Sequence, residues 1–268
     1  MITEPSEFIR QNTALLAPPL VPEIVLHLAT EVVPLWRQTE EELEAEGVPP
    51  PYWAFAWAGG QALARYVLDH PEVARGKRVL DFGSGSGLLS IAAAKCGATH
   101  VTATDIDVFA AAAIALNCGA NGVKRGHCDD IGATREIAPL PLRERRASED
   151  GLLGPDAGEE FARLRAKMLS IVTTDVIGSQ CIWDVILVGD MCYERPLAER
   201  LLAWLTVCVA GGATVLLGDP GRSYFPKSGV TPLDTFRVQT TRELEDREIR
   251  ETTVYRFTPD IRPGAGPT

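Results

Sequence analysis

Residues 79–87, Val-Leu-Asp-Phe-Gly-Ser-Gly-Ser-Gly, constrain the fold more than any other stretch of the chain. An apolar run of strand length, Arg78–Phe82, carries an acid near its end and passes directly into alternating glycines. Leu88–Cys96 then has the character of a helix, closed by Gly97. Glycines at such a junction let backbone approach a ligand closely, and the first turn of the helix offers amides without partners. The rest of the chain keeps the same rhythm. Thr99–Thr104 reads as a second strand, and 108–117 as an alanine-rich helix that Asp107 can cap. Ser170–Thr174 and Trp183–Gly189 are two more apolar strands. A helix over 196–209 stops at Gly211-Gly212, and Ala213–Gly218 is a fifth strand.

Strands alternating with helices of this length imply βαβ units and a parallel sheet. At the C-terminus, β-rich runs at 235–242 and 247–257 flank Glu245-Asp246, which predicts a hairpin added antiparallel to the sheet edge. The expected fold class is α/β: a Rossmann-like, seven-stranded, mostly parallel sheet with an antiparallel C-terminal hairpin and an N-terminal helical arm. That arm is expected at 1–50, because residues 6–46 have amphipathic helical periodicity, broken by Pro18, Pro19, Pro22 and Pro34. Pro49-Pro50-Pro51 ends it, since consecutive prolines donate no amide and hold the backbone extended. Tyr52-Trp53-Ala54-Phe55-Ala56-Trp57 follows, and Gly59-Gly60 opens a helix over 61–70. The α/β domain itself is expected at 51–260, with a Pro/Gly-rich, frayed tail at 261–268.

One segment breaks the rhythm. Residues 124–169 lie where a helix-to-strand loop normally takes about 2–6 residues. They contain 18 charged residues, nine of each sign, so the segment sets up no net field of its own. The expectation is a flexible surface insertion, with a helix over Glu159–Leu169. A substrate-gripping arm using Arg143, Arg145 and Arg146 is the competing reading.

Composition narrows the function. With 26 Lys+Arg against 36 Asp+Glu the net charge is −10, which argues against a protein whose task is to grip a polyanion, so no nucleic-acid partner is expected. No stretch approaches the roughly 18 uninterrupted apolar residues of a membrane span. The opening MITEPSEFIRQNT has two glutamates before its first arginine and does not read as a secretory signal. Cys96, Cys118, Cys128, Cys181, Cys192 and Cys208 show neither CxxC spacing nor a histidine at ligand spacing. They read as buried small hydrophobes in a reducing cytoplasm, and no metal site is expected.

The ligand class follows from the loop. A dinucleotide fingerprint GxGxxG would need glycine at Leu88, or at Ser90 if started from Gly85, and a phosphate-binding Gly-Lys-Ser/Thr is absent. The spacing is Asp-x-Gly-x-Gly-x-Gly, with Asp81 at its head and Gly83, Ser84, Gly85 and Gly87 in the turn. An acid there suits a ligand that presents a cation: an ammonium can meet Asp81 directly or through backbone and water, where a pyrophosphate would be repelled. In Ala103-Thr104-Asp105-Ile106-Asp107, an acid ends the next strand and can accept both hydroxyls of a ribose. Together these fit S-adenosyl-L-methionine. In Val188-Gly189-Asp190-Met191-Cys192-Tyr193, at a further strand end, Asp190 and Tyr193 should face the same crevice. An aspartate there can attract and orient a lysine ammonium, and a tyrosine ring can line an alkyl channel, although a structural cap before the next helix would also explain Asp190. Trp57 can cover the cofactor or belong to the core. Asp175 can accept from an adenine amino group or simply turn the chain towards Gly178.

Asp81–Gly87, Asp105–Asp107 and Asp190–Tyr193 resemble the seven-β-strand (class I) S-adenosylmethionine methyltransferases, and among them those with Asp-x-x-Tyr after the fourth strand, mainly protein-lysine methyltransferases. Several longer segments are similar to bacterial relatives of the electron transfer flavoprotein beta-subunit lysine methyltransferase: Asn12-Thr13, Pro18–Ile24, Pro51–Gly60, Gly189–Glu194 and Gly218-Asp219-Pro220-Gly221-Arg222. The resemblance covers nearly the whole chain except 124–169, which departs from the pattern. It implies that Trp57 and Ile106 touch the cofactor, Asp105 the ribose and Asp175 the adenine, with Asp190 and Tyr193 at the target lysine. It also implies a protein substrate, the flavoprotein beta subunit being the candidate. A small-molecule methyltransferase, a ribosomal-protein methyltransferase and a non-catalytic cofactor-binding module are the alternatives.

Overall fold

The computed structural model describes residues 4–30, 50–126, 168–240 and 242–260. Expectations for the later part of the N-terminal arm, for nearly all of the 124–169 insertion and for the tail lie outside the described residues.

The chain begins with a short helix, Pro5–Asn12 (α1), whose proline sits in the first turn, where a missing amide costs nothing. The helix expected over 6–46 then gives way. Ala14–Leu16 (β1) and Leu26–Leu28 (β2) pair antiparallel, Ala14 opposite Leu28. The physical reason is local: Leu26-His27-Leu28 alternates buried and half-buried with a period of two, and Pro18, Pro19 and Pro22 deny the intervening backbone a helix. This ribbon is tied down by amides of the main domain. Asn117 accepts from the His27 amide at 2.7 Å, and Asn121 both accepts from the Val25 amide and donates to its carbonyl.

The α/β part follows in the expected order. Its elements are Ala58–Asp69 (α2), Arg78–Phe82 (β3), Leu88–Lys95 (α3), His100–Thr104 (β4), Val108–Ala120 (α4) and Met168–Val172 (β5). Then come Val185–Gly189 (β6), Arg195–Ala210 (α5), Thr214–Asp219 (β7), Val230–Gln239 (β8), Arg242–Glu245 (α6) and Ile249–Phe257 (β9). Asp107 caps α4 as expected, accepting from the Phe109 amide at 2.8 Å.

The seven strands lie in the order β5-β4-β3-β6-β7-β9-β8, parallel except for β9, which runs antiparallel to β7 and β8. The chain lays β4 and β5 to one side of β3, then returns to place β6 and β7 on the other. That reversal opens a crevice beyond the carboxyl ends of β3 and β6, where ligands bind in open sheets of this kind. Helices cover both faces, so the central strands are buried and mostly apolar, with Asp81, Thr102 and Thr104 as buried polar exceptions. Val79, Val101, Leu187 and Leu216 pack with Leu63, Ile91 and Ile114 on one face. Leu80, Phe82, Ile186, Val188 and Val215 pack with Leu201, Trp204 and Leu205 on the other. A fully buried side chain of this size is worth about 1.5–3 kcal/mol. Exposed ion pairs such as Arg78–Asp184 are worth about 0–1 kcal/mol, so the two apolar layers hold the sheet. Among the described residues no helix is long and apolar enough to cross a membrane, and five cysteines are free, four of them buried.

Candidate active site

A cavity of about 550 Å³ opens at the crevice, lined by the turn after β3, the end of β4, the loops after β5 and β6, and the aromatic segment before α2. The turn is built on positive φ at Gly83, Gly85 and Gly87, at 65°, 50° and 80°. At Gly83 the need is steric as well, because a Cβ would collide with the Met191 sulfur from the loop after β6. The turns after β3 and β6 are therefore in direct contact across the reversal point. Ser84 is buried and belongs to the frame: its hydroxyl donates to the Asp81 carbonyl and its amide to Thr104.

Asp81 is placed differently from expectation. It is fully buried and lines no part of the cavity. Its Oδ2 accepts from the Ser90 amide at 2.9 Å and the Ser90 hydroxyl at 2.6 Å, which pins the start of α3 to β3. Oδ1 has no hydrogen-bond partner among the described residues. Burial pushes the carboxyl up to about 6 against the pull of Ser90. A direct ammonium contact is thus not what the geometry offers; Asp81 acts on the turn from behind it.

Asp105 does line the cavity. Its Oδ2 accepts from the Gly85 amide at 2.8 Å and its Oδ1 from the Asp107 amide at 3.0 Å. A carboxylate oxygen has about two acceptor sites, so one is left on each, the number that two vicinal hydroxyls require. Burial raises its pKa, with the Asp107 and Gly85 amides opposing. Ile106 stands beside it at the rim, 77% exposed. Asp175 is also at the rim. Of its two readings the turn is the one seen: Oδ1 accepts from the Ile177 amide, while Oδ2 is engaged by Arg200 at 2.6 Å.

Asp190, directly after β6, is buried and has a left-handed backbone, φ 59°, which a non-glycine residue adopts at a cost. Its Oδ2 accepts from the Gly60 amide in the first turn of α2 at 2.8 Å. That approach depends on small residues: a Cβ on Gly59 would strike the Gly218 carbonyl and the Asp190 carboxylate, and one on Gly189 would crowd Gly60. Its Oδ1 accepts from Arg222 Nη2 at 2.8 Å and Nε at 3.2 Å. Burial pushes the carboxyl up to about 6, with Arg222 opposing. Tyr193 is 45% exposed beside Tyr52, ring centroids 6.0 Å apart, and Trp57 donates its indole N–H to the Tyr52 carbonyl. The Arg222 guanidinium lies over the Trp57 ring at 5.5 Å.

Arg222, which lines the cavity, and its partner Glu245 are residues that reading by motif passes over. Asp219, ending β7, turns the next loop by accepting from the Gly221 and Arg222 amides, both at 2.7 Å, and so aims Arg222 back at Asp190. The signal was the Gly-Asp-Pro-Gly-Arg segment at another strand end.

S-adenosylmethionine fits this donor set. Asp105, Asp107, Asp175 and Asp190 line the cavity, and two acceptor sites stand free on Asp105. Sheet order, glycine turn and acidic crevice together are those of a class I S-adenosylmethionine-dependent methyltransferase. A protein described as electron transfer flavoprotein beta subunit lysine methyltransferase from Xenopus laevis is 36% identical over 96% of this chain and 88% of its own length. The Homo sapiens protein of the same description is 34% identical over 94% and 81%. The chain belongs to the electron transfer flavoprotein beta subunit lysine methyltransferase family. The model of ribosomal protein L11 methyltransferase (PrmA) matches residues 61–137. The ribosomal protein L11 methyltransferase of Dechloromonas aromatica is 39% identical over 34% of this chain and 31% of its own.

Proposed function

We propose that the chain methylates lysine side chains of an electron transfer flavoprotein beta subunit, with Asp190 and Tyr193 at the target lysine and Trp57, Gly83, Gly85, Asp105, Ile106 and Asp175 around S-adenosylmethionine. The observation that carries this reading is the state of Asp190: a buried carboxylate at the cavity wall, with both sites on Oδ1 taken and one on Oδ2 open. S-adenosylmethionine supplies a methyl group already activated on a sulfonium. Asp190 draws the lysine ammonium out of water and fixes the direction of its nitrogen. Tyr193, Tyr52 and Trp57 flank the alkyl chain and exclude water, so that once the proton has left, the lone pair is already oriented. Asp105 holds the ribose, and the Gly83–Gly87 turn lies at the aminoacyl end.

One feature favours a lysine of a flavoprotein subunit over one of a ribosomal protein. The ribosomal protein L11 methyltransferase model matches 61–137, which holds the cofactor turn and not Asp190, while a flavoprotein-methyltransferase relative aligns over 96% of the chain. The net charge of −10 favours a protein target over nucleic acid, and unpaired thiols are at home in a reducing cytoplasm. The test is transfer of tritiated methyl from S-adenosylmethionine to purified electron transfer flavoprotein, followed by peptide mapping. Label on beta-subunit lysines is expected. No label there, with label on a ribosomal protein in a lysate, would overturn the assignment.

A further inference from the structure

A carboxylate that meets a substrate ammonium must be ionised and aimed, and the groups that achieve this for Asp190 lie outside its own loop. Arg222 spends Nε and Nη2 on Asp190 Oδ1. The same guanidinium is clamped from behind by Glu245, Nη2 to Oε1 at 2.6 Å and Nη1 to Oε2 at 3.1 Å. Glu245 has no side-chain exposure, and Arg250 from β9 stands 3.4 Å from its Oε2. Side-chain exposure falls from 17% at Arg222 to 9% at Asp190, so the pair is nearly dry. A buried ion pair of this kind is weak evidence for stability, since apolar replacements often do as well. What stability alone leaves unexplained is its position. The chain of charges runs from the β8–β9 connection inward, passes Arg222 over the Trp57 ring, and ends on Asp190, a strand-end acid with a left-handed backbone.

We propose that Arg222, gripped by Glu245, is a positioning residue for methyl transfer: by filling both acceptor sites of Asp190 Oδ1 it keeps the carboxylate charged and leaves Oδ2 as the atom that meets the target ammonium. The proposal rests on the lysine reading above. Among the described residues α2 gives Asp190 the Gly60 amide and no charge; β7 brings Asp219 to the same loop beside Cys192, and α6 brings Glu245. The acids disfavour a further negative charge, and Arg250 reaches Glu245 rather than Asp190. Arg222 is the cation in hydrogen-bond contact. A lysine would keep the charge and lose the fork.

The experiment measures methyl transfer to purified electron transfer flavoprotein from pH 5.5 to 8.5. The target amine must lose a proton, so log(kcat/KM) rises with pH, and the slope steepens where Asp190 also protonates, near 6. In Arg222→Met that break should move up by about one pH unit or more, and kcat should fall about 100-fold, as for a misplaced group. S-adenosylmethionine affinity, read by calorimetry, should stay within about threefold. Arg222→Lys should return the break to near its wild-type pH while recovering only part of kcat. Glu245→Gln removes a negative neighbour but loosens the clamp. Its break should lie no higher than wild type, with kcat about tenfold lower. An unmoved break in Arg222→Met, or a loss of cofactor affinity matching the loss of kcat, would overturn the proposal. If the methionine variant fails to fold by circular dichroism, full kcat in Arg222→Lys or Glu245→Gln overturns it instead. A wild-type enzyme that labels no lysine refutes the functional reading, not this one alone.

Discussion

Three acids near the carboxyl ends of neighbouring strands differ in the partners that occupy their lone pairs, and the proposed division of roles follows from that difference. Asp105 has one open site on each oxygen, and Asp190 one on Oδ2. Asp105→Ala should weaken S-adenosylmethionine binding by about 100-fold or more, the loss of two hydrogen bonds to a charged group, while Asp190→Asn should keep affinity and lose most turnover. Calorimetry beside single-turnover kinetics separates the two, and equal losses in both properties for both variants would refute the division of labour. Asp81 makes a different prediction. Its folded-state pKa, about 6, lies above the ordinary 3.8, so ionisation opposes folding: what this group contributes is present below about 4 and is lost as pH rises through 6. Asp81→Asn should therefore gain stability relative to the unliganded wild type between pH 4.5 and 7, read as urea midpoints, and a pH-independent difference would refute this. The acids were legible because a glycine turn and two strand ends announce them locally. Arg222 and Glu245 were not, because Glu245 sits in a turn that reads as solvent-facing, and its burial depends on a residue 23 positions away.

At the scale of elements, α2 is the part whose placement decides the site. It meets the sheet backbone to backbone through Gly59, Gly189 and Gly218, and so delivers the Gly60 amide to Asp190. Two adjacent glycines therefore predict opposite outcomes. Gly59→Ala drives a Cβ into the Gly218 carbonyl and the Asp190 carboxylate, and should cost about 1–3 kcal/mol together with turnover. Gly60→Ala meets nothing within 4 Å and should be neutral or stabilising by about 0.5–1 kcal/mol with turnover kept. Denaturant melts of the two variants test this, and equal destabilisation would show that the close approach is not rigid. In the sequence the glycine pair signalled a helix start, but the matching glycines on β6 and β7 lie far along the chain. The N-terminal ribbon was missed for another reason. An amphipathic pattern interrupted by Pro18, Pro19 and Pro22 was read as broken helix, whereas Leu26-His27-Leu28 pairs as a strand once Asn117 and Asn121 engage the backbone beside it. The sheet itself was legible, since buried parallel strands are plain apolar runs between helices.

For the whole molecule, the reversal of strand order gathers Asp81, Asp105, Asp107 and Asp190 around one crevice, and burial raises all four, with Asp81, Asp107 and Asp190 pushed to about 6. Their mutual repulsion adds to this, as Asp105 raises both Asp81 and Asp107. Such a cluster is charged at pH 7.5 and partly neutral at pH 5, so the crevice presents a pH-dependent negative field to whatever enters it. S-adenosylmethionine carries a sulfonium that S-adenosylhomocysteine lacks, the two being otherwise alike in nucleoside and amino-acid ends. Affinity for the first should weaken by about tenfold from pH 7.5 to 5, while affinity for the second should weaken less, because only the first loses a cation–carboxylate attraction. The linkage also runs the other way: thermal stabilisation by saturating S-adenosylmethionine should grow as pH rises from 5 to 7.5, opposing the part of the stability that these buried acids lose over the same range. Calorimetry of both ligands at pH 5, 6 and 7.5 reads this directly. Parallel pH profiles for the two would mean that the crevice acids serve hydrogen bonding alone, and that their charge does not help the enzyme distinguish substrate from product.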